Sequence, residues 1–150
     1  MAADTPDTPD RPVPPESVVG RPFWEASRER RLVLPWCPVC EVPHWYPRGF
    51  CPTCLGPELE WRPSDGRGAV HAVSVQPRPP HPGLADRVPY AVVLADLDDG
   101  VRMMLAVAAE GAADPWSVCI DDRLTVGWEP LPDGRHLPIA HVDPGAVAAD

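Results

Sequence analysis

Read as a pattern of apolar and polar positions, the chain changes character several times. Residues 1–16 hold one branched aliphatic residue, Val13, and no aromatic. Asp4, Asp7, Asp10 and Glu16 outnumber Arg11 there and Pro recurs, so the stretch has too little to bury and reads as a disordered or extended acidic arm. A helical segment is expected at 17–34. The pattern places its helix from Gly20 to Arg31, with Pro22 in the first turn, where a missing N–H costs little, and Glu25 early. Arg28, Arg30 and Arg31 gather at the other end, where cations suit the helix dipole. Phe23 and Trp24 are adjacent, so they form one apolar corner and not a full stripe.

After Leu59 the text becomes strand-like. Gly68 to Gln76 is rich in Val and small residues, and Tyr90 to Ala95 is a continuous apolar run, the mark of a strand covered on both faces. Asp98-Asp99-Gly100 makes a turn, after which Val101, Met103, Leu105 and Val107 alternate in period two. Asp114-Pro115 reads as a cap and the first residue of a short helical turn. Leu124, Val126 and Trp128 then face inward against Arg123, Thr125 and Glu129. Pro132-Asp133-Gly134 turns the chain into a last strand, Arg135 to Ile139. Three strands, a helical piece and two strands is the order of a five-stranded OB-type barrel, although other small Greek-key barrels would read alike. The barrel is placed at 63–141 and a frayed tail at 142–150.

Composition narrows the function classes. Pro contributes 23 of the 150 residues and Gly 11, which suits short strands and knuckles better than long helices. All 13 basic residues are Arg, with no Lys and no Asn, the imprint of a GC-rich genome and no functional signal in itself. The formal charge of −9 argues against a protein that lives on nucleic acid or anionic lipid. No run approaches the roughly 20 apolar residues of a membrane helix, and the start is neither basic nor apolar, so a cytoplasmic protein is expected.

Four of the five cysteines carry the clearest chemistry: Cys37-Pro-Val-Cys40, ten residues, then Cys51-Pro-Thr-Cys54. Each Cys-x2-Cys knuckle turns two thiolates toward one point, and two knuckles complete a tetrahedral set for structural Zn²⁺. A zinc ribbon is therefore placed at 35–62. Four thiolates leave no open coordination position, so the site is structural and not catalytic; iron could occupy the same sulfurs. Cys119, between Val118 and Ile120, reads as a buried inert thiol. His44, His71, His81, His136 and His141 are scattered without a metal or triad spacing, and no phosphate loop or nucleophile elbow appears.

Several of these residues follow one pattern: Arg21-Pro-Phe-Trp-Glu-Ala, Leu32-Val-Leu, the two knuckles around Tyr46-Pro-Arg48, Glu60-Trp61, Ser64-Asp-Gly-Arg-Gly68, Pro89-Tyr90 and Leu137-Pro138. It resembles the zinc-ribbon/OB-fold family of domains of unknown function associated with thiolases and acyl-CoA metabolism, over about Pro12 to Ala140. The resemblance implies a mostly β protein with an N-terminal helical segment, a rubredoxin-like zinc ribbon and a five-stranded OB-fold barrel. It further implies a non-catalytic partner of a thiolase-like or lipid-transfer-protein-like enzyme, in a heterotetramer or larger assembly. Relatives of that kind serve acyltransferases making acetoacetyl units, enzymes acylating phloroglucinol-type rings, and aldolases cleaving steroid side-chain CoA thioesters. Two departures stand out: Glu41 where the family usually has a Gly at a positive-φ position, and Ala140 where an aromatic usually follows Leu-Pro-x.

On this reading Phe23, Trp24, Trp45 and Tyr46 are candidate anchors for the partner, since aromatics dominate interface hot spots. Arg67, Arg78 and Arg87 are candidate contacts to the partner's acyl-CoA substrate, because guanidinium suits phosphate. The alternatives are a subunit of an acyltransferase complex in acetoacetyl or polyketide-type synthesis, and a stand-alone acyl-CoA or nucleic-acid binding module; against nucleic acid, the stretch from Val70 to Leu105 is net acidic and lacks the basic groove that single strands require.

Overall fold

The computed structural model describes residues 11–109 and 114–147. The acidic arm falls largely outside them, but its end, Arg11 to Glu16, lies against the barrel: Arg11 pairs with Glu129, and Arg135 Nη2 donates to the Pro14 carbonyl at 2.7 Å. Pro22 opens helix α1 (Arg21–Arg28), which is shorter than the pattern predicts. Arg30 turns to φ 57°, Arg31 N–H donates to Ala26 O and Arg30 N–H to Ser27 O, so a Schellman closure ends the helix three residues early. Glu25, the fifth residue from its start, falls outside the first turn, and because of the early end only Arg28 of the basic trio lies in the last.

The ribbon is a three-stranded antiparallel sheet, ordered β2-β1-β3, of β1 (Val33–Cys37), β2 (Val42–Pro43) and β3 (Glu60–Pro63). β1 is its centre because it pairs on both sides: Trp36 opposite Pro43, and Val33 to Trp36 against Pro63 to Glu60. Leu32 and Leu34 are buried and join the same apolar cluster as the barrel interior, so the ribbon leans on a core it does not supply alone.

The barrel comprises β4 (Arg67–Gln76), β5 (Tyr90–Leu97), β6 (Arg102–Val107), β7 (Asp122–Pro130) and β8 (His136–Val147), closed in the order β4-β5-β6-β8-β7. Its pairs are antiparallel except β6–β8, which run parallel, the topology of an OB fold. The short helical turn at Pro115–Ser117, capped by Asp114, sits between the third and fourth barrel strands as expected. A second, at Pro82–Leu84, was not legible in the sequence.

Two strand readings change. β5 alternates, with Ala91, Val93, Ala95 and Leu97 inside and Tyr90, Val92 and Leu94 half-buried, so only one of its faces is fully covered. β8 continues to Val147, and its residues 142–143 pair with Leu124 and Arg123 of β7, so residues 142–147 of the stretch placed in the tail extend the barrel instead, while 148–150 lie outside the described residues. Gly68 is needed where β4 crosses β5: a Cβ there would stand 2.4 Å from the Asp96 carbonyl oxygen.

Candidate functional site

The two knuckles bring four sulfurs together. The ligand atoms of Cys37, Cys40, Cys51 and Cys54 all lie within 4.8 Å of one another, with Cys37 Sγ 3.6 Å from Cys54 Sγ and Cys51 Sγ 4.0 Å from Cys40 Sγ. A tetrahedron with Zn–S bonds of about 2.3 Å has edges near 3.8 Å, so the set fits a single tetrahedral ion. Backbone N–H groups of Cys40 and Thr53 each point at a knuckle sulfur at 3.4 Å, as they do where thiolate charge needs support. Each knuckle closes with a residue in the left-handed region, Glu41 at φ 55° and Leu55 at φ 62°. Glu41 therefore occupies the positive-φ position at which the resembled family usually has Gly.

Without a cation the four thiols cannot all ionise. The Cys54 thiol hydrogen bond pushes Cys40 up to about 12, while the Cys54 backbone N–H brings Cys51 down to about 6. Structural Zn²⁺ resolves that conflict by taking all four as thiolates, and it leaves no position open for a substrate.

Between the knuckles, His44 is 8% exposed, and its backbone N–H donates to the Pro35 carbonyl at 2.9 Å. Neither ring nitrogen has a partner among the described residues. Burial, with the Arg48 charge adding to it, holds this imidazole below its ordinary pKa, so it is neutral.

The aromatic candidates divide. Phe23 is 4% exposed and is a core residue, not a surface anchor. It stands edge-on to Trp24 at 5.0 Å and to Trp45 at 5.1 Å, with Trp128 at 6.4 Å, and so joins α1, the ribbon and β7. The apolar corner of the helix faces inward because the ribbon loop and the barrel meet there. Trp24 is half-covered by the Arg135 guanidinium, 4.4 Å above its ring, and Trp45 is half-buried. Tyr46 is exposed.

Other apolar side chains are exposed on the ribbon instead. Val39 and Leu55 ride on or beside the knuckles at 73% and 70% exposure, and Val42, Tyr46 and Phe50 lie between them. Val18 and Val19 precede the helix and edge a notch of about 220 Å³ with Arg48, Leu59 and Trp61. Single aliphatic residues next to cysteines carry no pattern, so sequence reasoning passed over them. Cys119 is exposed and not buried, since Val118 takes the inward position beside it.

The three arginine candidates are not brought together. Arg67 opens β4 and Arg78 follows its far end, a separation of about 30 Å along a ten-residue strand. Arg87 alone lines a groove of about 680 Å³ on the outer face of β5 and β6, where it pairs with Glu129.

A zinc ribbon joined to an OB-fold barrel, with a closed four-thiolate site, is a small structural-zinc protein of composite architecture. Residues 24–60 match the family model described as the ChsH2 rubredoxin-like zinc ribbon domain, and residues 61–129 that of the ChsH2 C-terminal OB-fold domain. The chain belongs to this ChsH2-type zinc-ribbon/OB-fold family. It is similar to a chain of a solved structure titled "Ltp2-ChsH2(DUF35) aldolase", with a TM-score of 0.76 and 25% identity over 87% of this chain and 98% of that one. It is also 36% identical over 83 residues to a Thermomonospora curvata protein named "Probable enoyl-CoA hydratase alpha subunit". That match covers 55% of this chain, which spans about a quarter (25%) of the relative's length.

Proposed function

We propose that this chain is the non-catalytic partner of a thiolase-superfamily, lipid-transfer-protein-like enzyme, and that it supports carbon–carbon bond chemistry on acyl-CoA thioesters. Retro-aldol cleavage of a steroid side-chain thioester is the reaction we assign to the assembly. The observation that carries the reading is the match over nearly all of a chain from a structure titled as an Ltp2-ChsH2 aldolase. The acyl-CoA vocabulary of the Thermomonospora relative supports the substrate class.

The chain's own part follows from its geometry. The metal fixes the knuckles, and the fixed knuckles present Val39, Leu55 and Phe50 to the outside. Exposed apolar side chains on a rigid support are what a partner buries, at little ordering cost. The docking face in this proposal is thus the ribbon, with Tyr46 retained from the aromatic candidates and Trp24 and Trp45 contributing their uncovered edges. Arg87 is retained for the thioester; Arg67 and Arg78, at opposite ends of β4, are not.

Co-expression with a thiolase-superfamily, lipid-transfer-protein-like enzyme from the same genome, followed by size exclusion and metal analysis, tests the reading. Co-elution with about one zinc per chain, abolished by Val39→Arg with Phe50→Arg, is expected. A zinc-loaded chain that elutes alone in both forms would reject it.

A further inference from the structure

We propose that the notch beside Arg48 receives one large apolar side chain of the partner enzyme, and that the Arg48 guanidinium pairs with a carboxylate next to it. The inference rests on the partner reading above and states what that partner must offer. The notch forms where three segments meet. Val18 and Val19 lead into α1, Arg48 and Gly49 belong to the loop between the knuckles, and Leu59 and Trp61 stand at the entry to β3. A Cβ built on Gly49 would lie 3.8 Å from Val19 Cγ1, so the lead-in passes directly over the knuckle loop in ordinary contact. Because Cys40 and Cys51 at the ends of that loop are both ligands, the metal holds the wall in place and little ordering is needed to use it.

Size selects the occupant first. The volume of about 220 Å³ lies below the roughly 300 Å³ at which small-molecule sites begin, so the notch suits a single side chain and not a cofactor. Val18 remains 78% exposed at its rim, apolar surface of the kind that a partner covers. Gly49-Phe50 continues the chain from the notch to one of the exposed knuckle residues, so the notch belongs to the docking face on the ribbon.

Charge decides the rest. Arg48 is the single charged residue in the lining. The charges that flank the notch are matched within their own segments, Arg21 by Glu16 at 3.4 Å and Arg62 by Glu60 at 2.9 Å. Arg48 is exposed and has no carboxylate partner among the described residues. A guanidinium at the edge of an apolar pocket takes a carboxylate through two parallel hydrogen bonds, which strengthen as the contact loses water. An apolar side chain beside an Asp or Glu therefore satisfies wall and rim together. The net charge of −9 repels acidic surfaces elsewhere on the chain, so Arg48 also fixes where such a segment can land.

Titration of the zinc-loaded full chain against a thiolase-superfamily, lipid-transfer-protein-like enzyme from the same genome tests this, with Gly49→Leu to fill the notch and Arg48→Glu to reverse its charge. Each should weaken binding by at least about tenfold, with zinc content and circular dichroism unchanged. Arg48→Lys should keep part of the affinity, and Arg48→Gln should flatten its dependence on salt. Wild-type affinity in Gly49→Leu and Arg48→Glu, in a complex that Val39→Arg with Phe50→Arg abolishes, would overturn the notch and leave the partner reading standing. Absence of any complex would reject the partner reading and this inference together. Sedimentation of the chain alone adds one further arm: self-association that Gly49→Leu relieves would give the notch to a second copy and overturn the enzyme as its occupant.

Discussion

Replacing Phe23 with Ala separates the two roles that its ring could have had. A surface anchor would leave the isolated chain as stable as before and weaken only the complex. The structure makes Phe23 internal at 4% exposure, edge-on to Trp24 and Trp45 at 5.0 and 5.1 Å. A buried Phe→Ala change costs about 3–5 kcal/mol, the lost edge-to-face contacts included. Against a total stability of about 5–15 kcal/mol for a domain, that is a large fraction, and it lowers the melting temperature by about 10 °C at this size. Urea unfolding followed by tryptophan fluorescence measures the loss, and a zinc-binding dye reports the ribbon separately. Because the ring touches Trp45 of the ribbon loop and Trp128 of the barrel, zinc release and barrel unfolding should move together. A loss below about 1 kcal/mol, or zinc release that stays put while the barrel weakens, would refute this placement.

Glu41→Gly should stabilise the zinc-bound ribbon by about 1 kcal/mol, read as a later urea midpoint, because Glu41 is held at φ 55° where a side chain is strained. Gly68→Ala should cost about 1–3 kcal/mol in the same assay, since the new methyl meets the Asp96 carbonyl oxygen and backbone must move. His44 contributes a pH dependence of definite sign. Its folded pKa is lowered by burial, so the unfolded chain binds a proton that the folded chain refuses; the stability is fully present above the ordinary imidazole value and is lost as pH falls through the lowered one. His44→Leu should flatten that part of the acid limb relative to the wild-type chain, and parallel limbs would contradict it.

The metal centre was legible because its signal is local: two knuckles at a fixed spacing define four ligands wherever the rest of the chain goes. The barrel was legible in its order of strands, since turn residues such as Asp98-Asp99-Gly100 and the Asp114-Pro115 cap mark where each begins. What failed depended on distant partners. Whether Phe23 faces in or out is decided by Trp45 and Trp128, far along the chain. The end of α1 is set by a left-handed Arg30, a position more often taken by Gly and so invisible as a stop. β8 outruns its apolar pattern because β7 continues to offer backbone partners beyond Ile139. The three arginines read as a set only until β4 places Arg67 and Arg78 at its opposite ends.

The central claim is that this chain contributes to acyl-CoA chemistry through a second protein. The direct measurement is carbon–carbon cleavage of a side-chain CoA thioester by a thiolase-superfamily enzyme of the proposed kind alone, by this chain alone, and by the two together. The account predicts product from the complex, none from this chain by itself, and loss of the gain when Val39→Arg and Phe50→Arg are introduced. Equal turnover by the enzyme with and without this chain, or turnover by this chain alone, would contradict it.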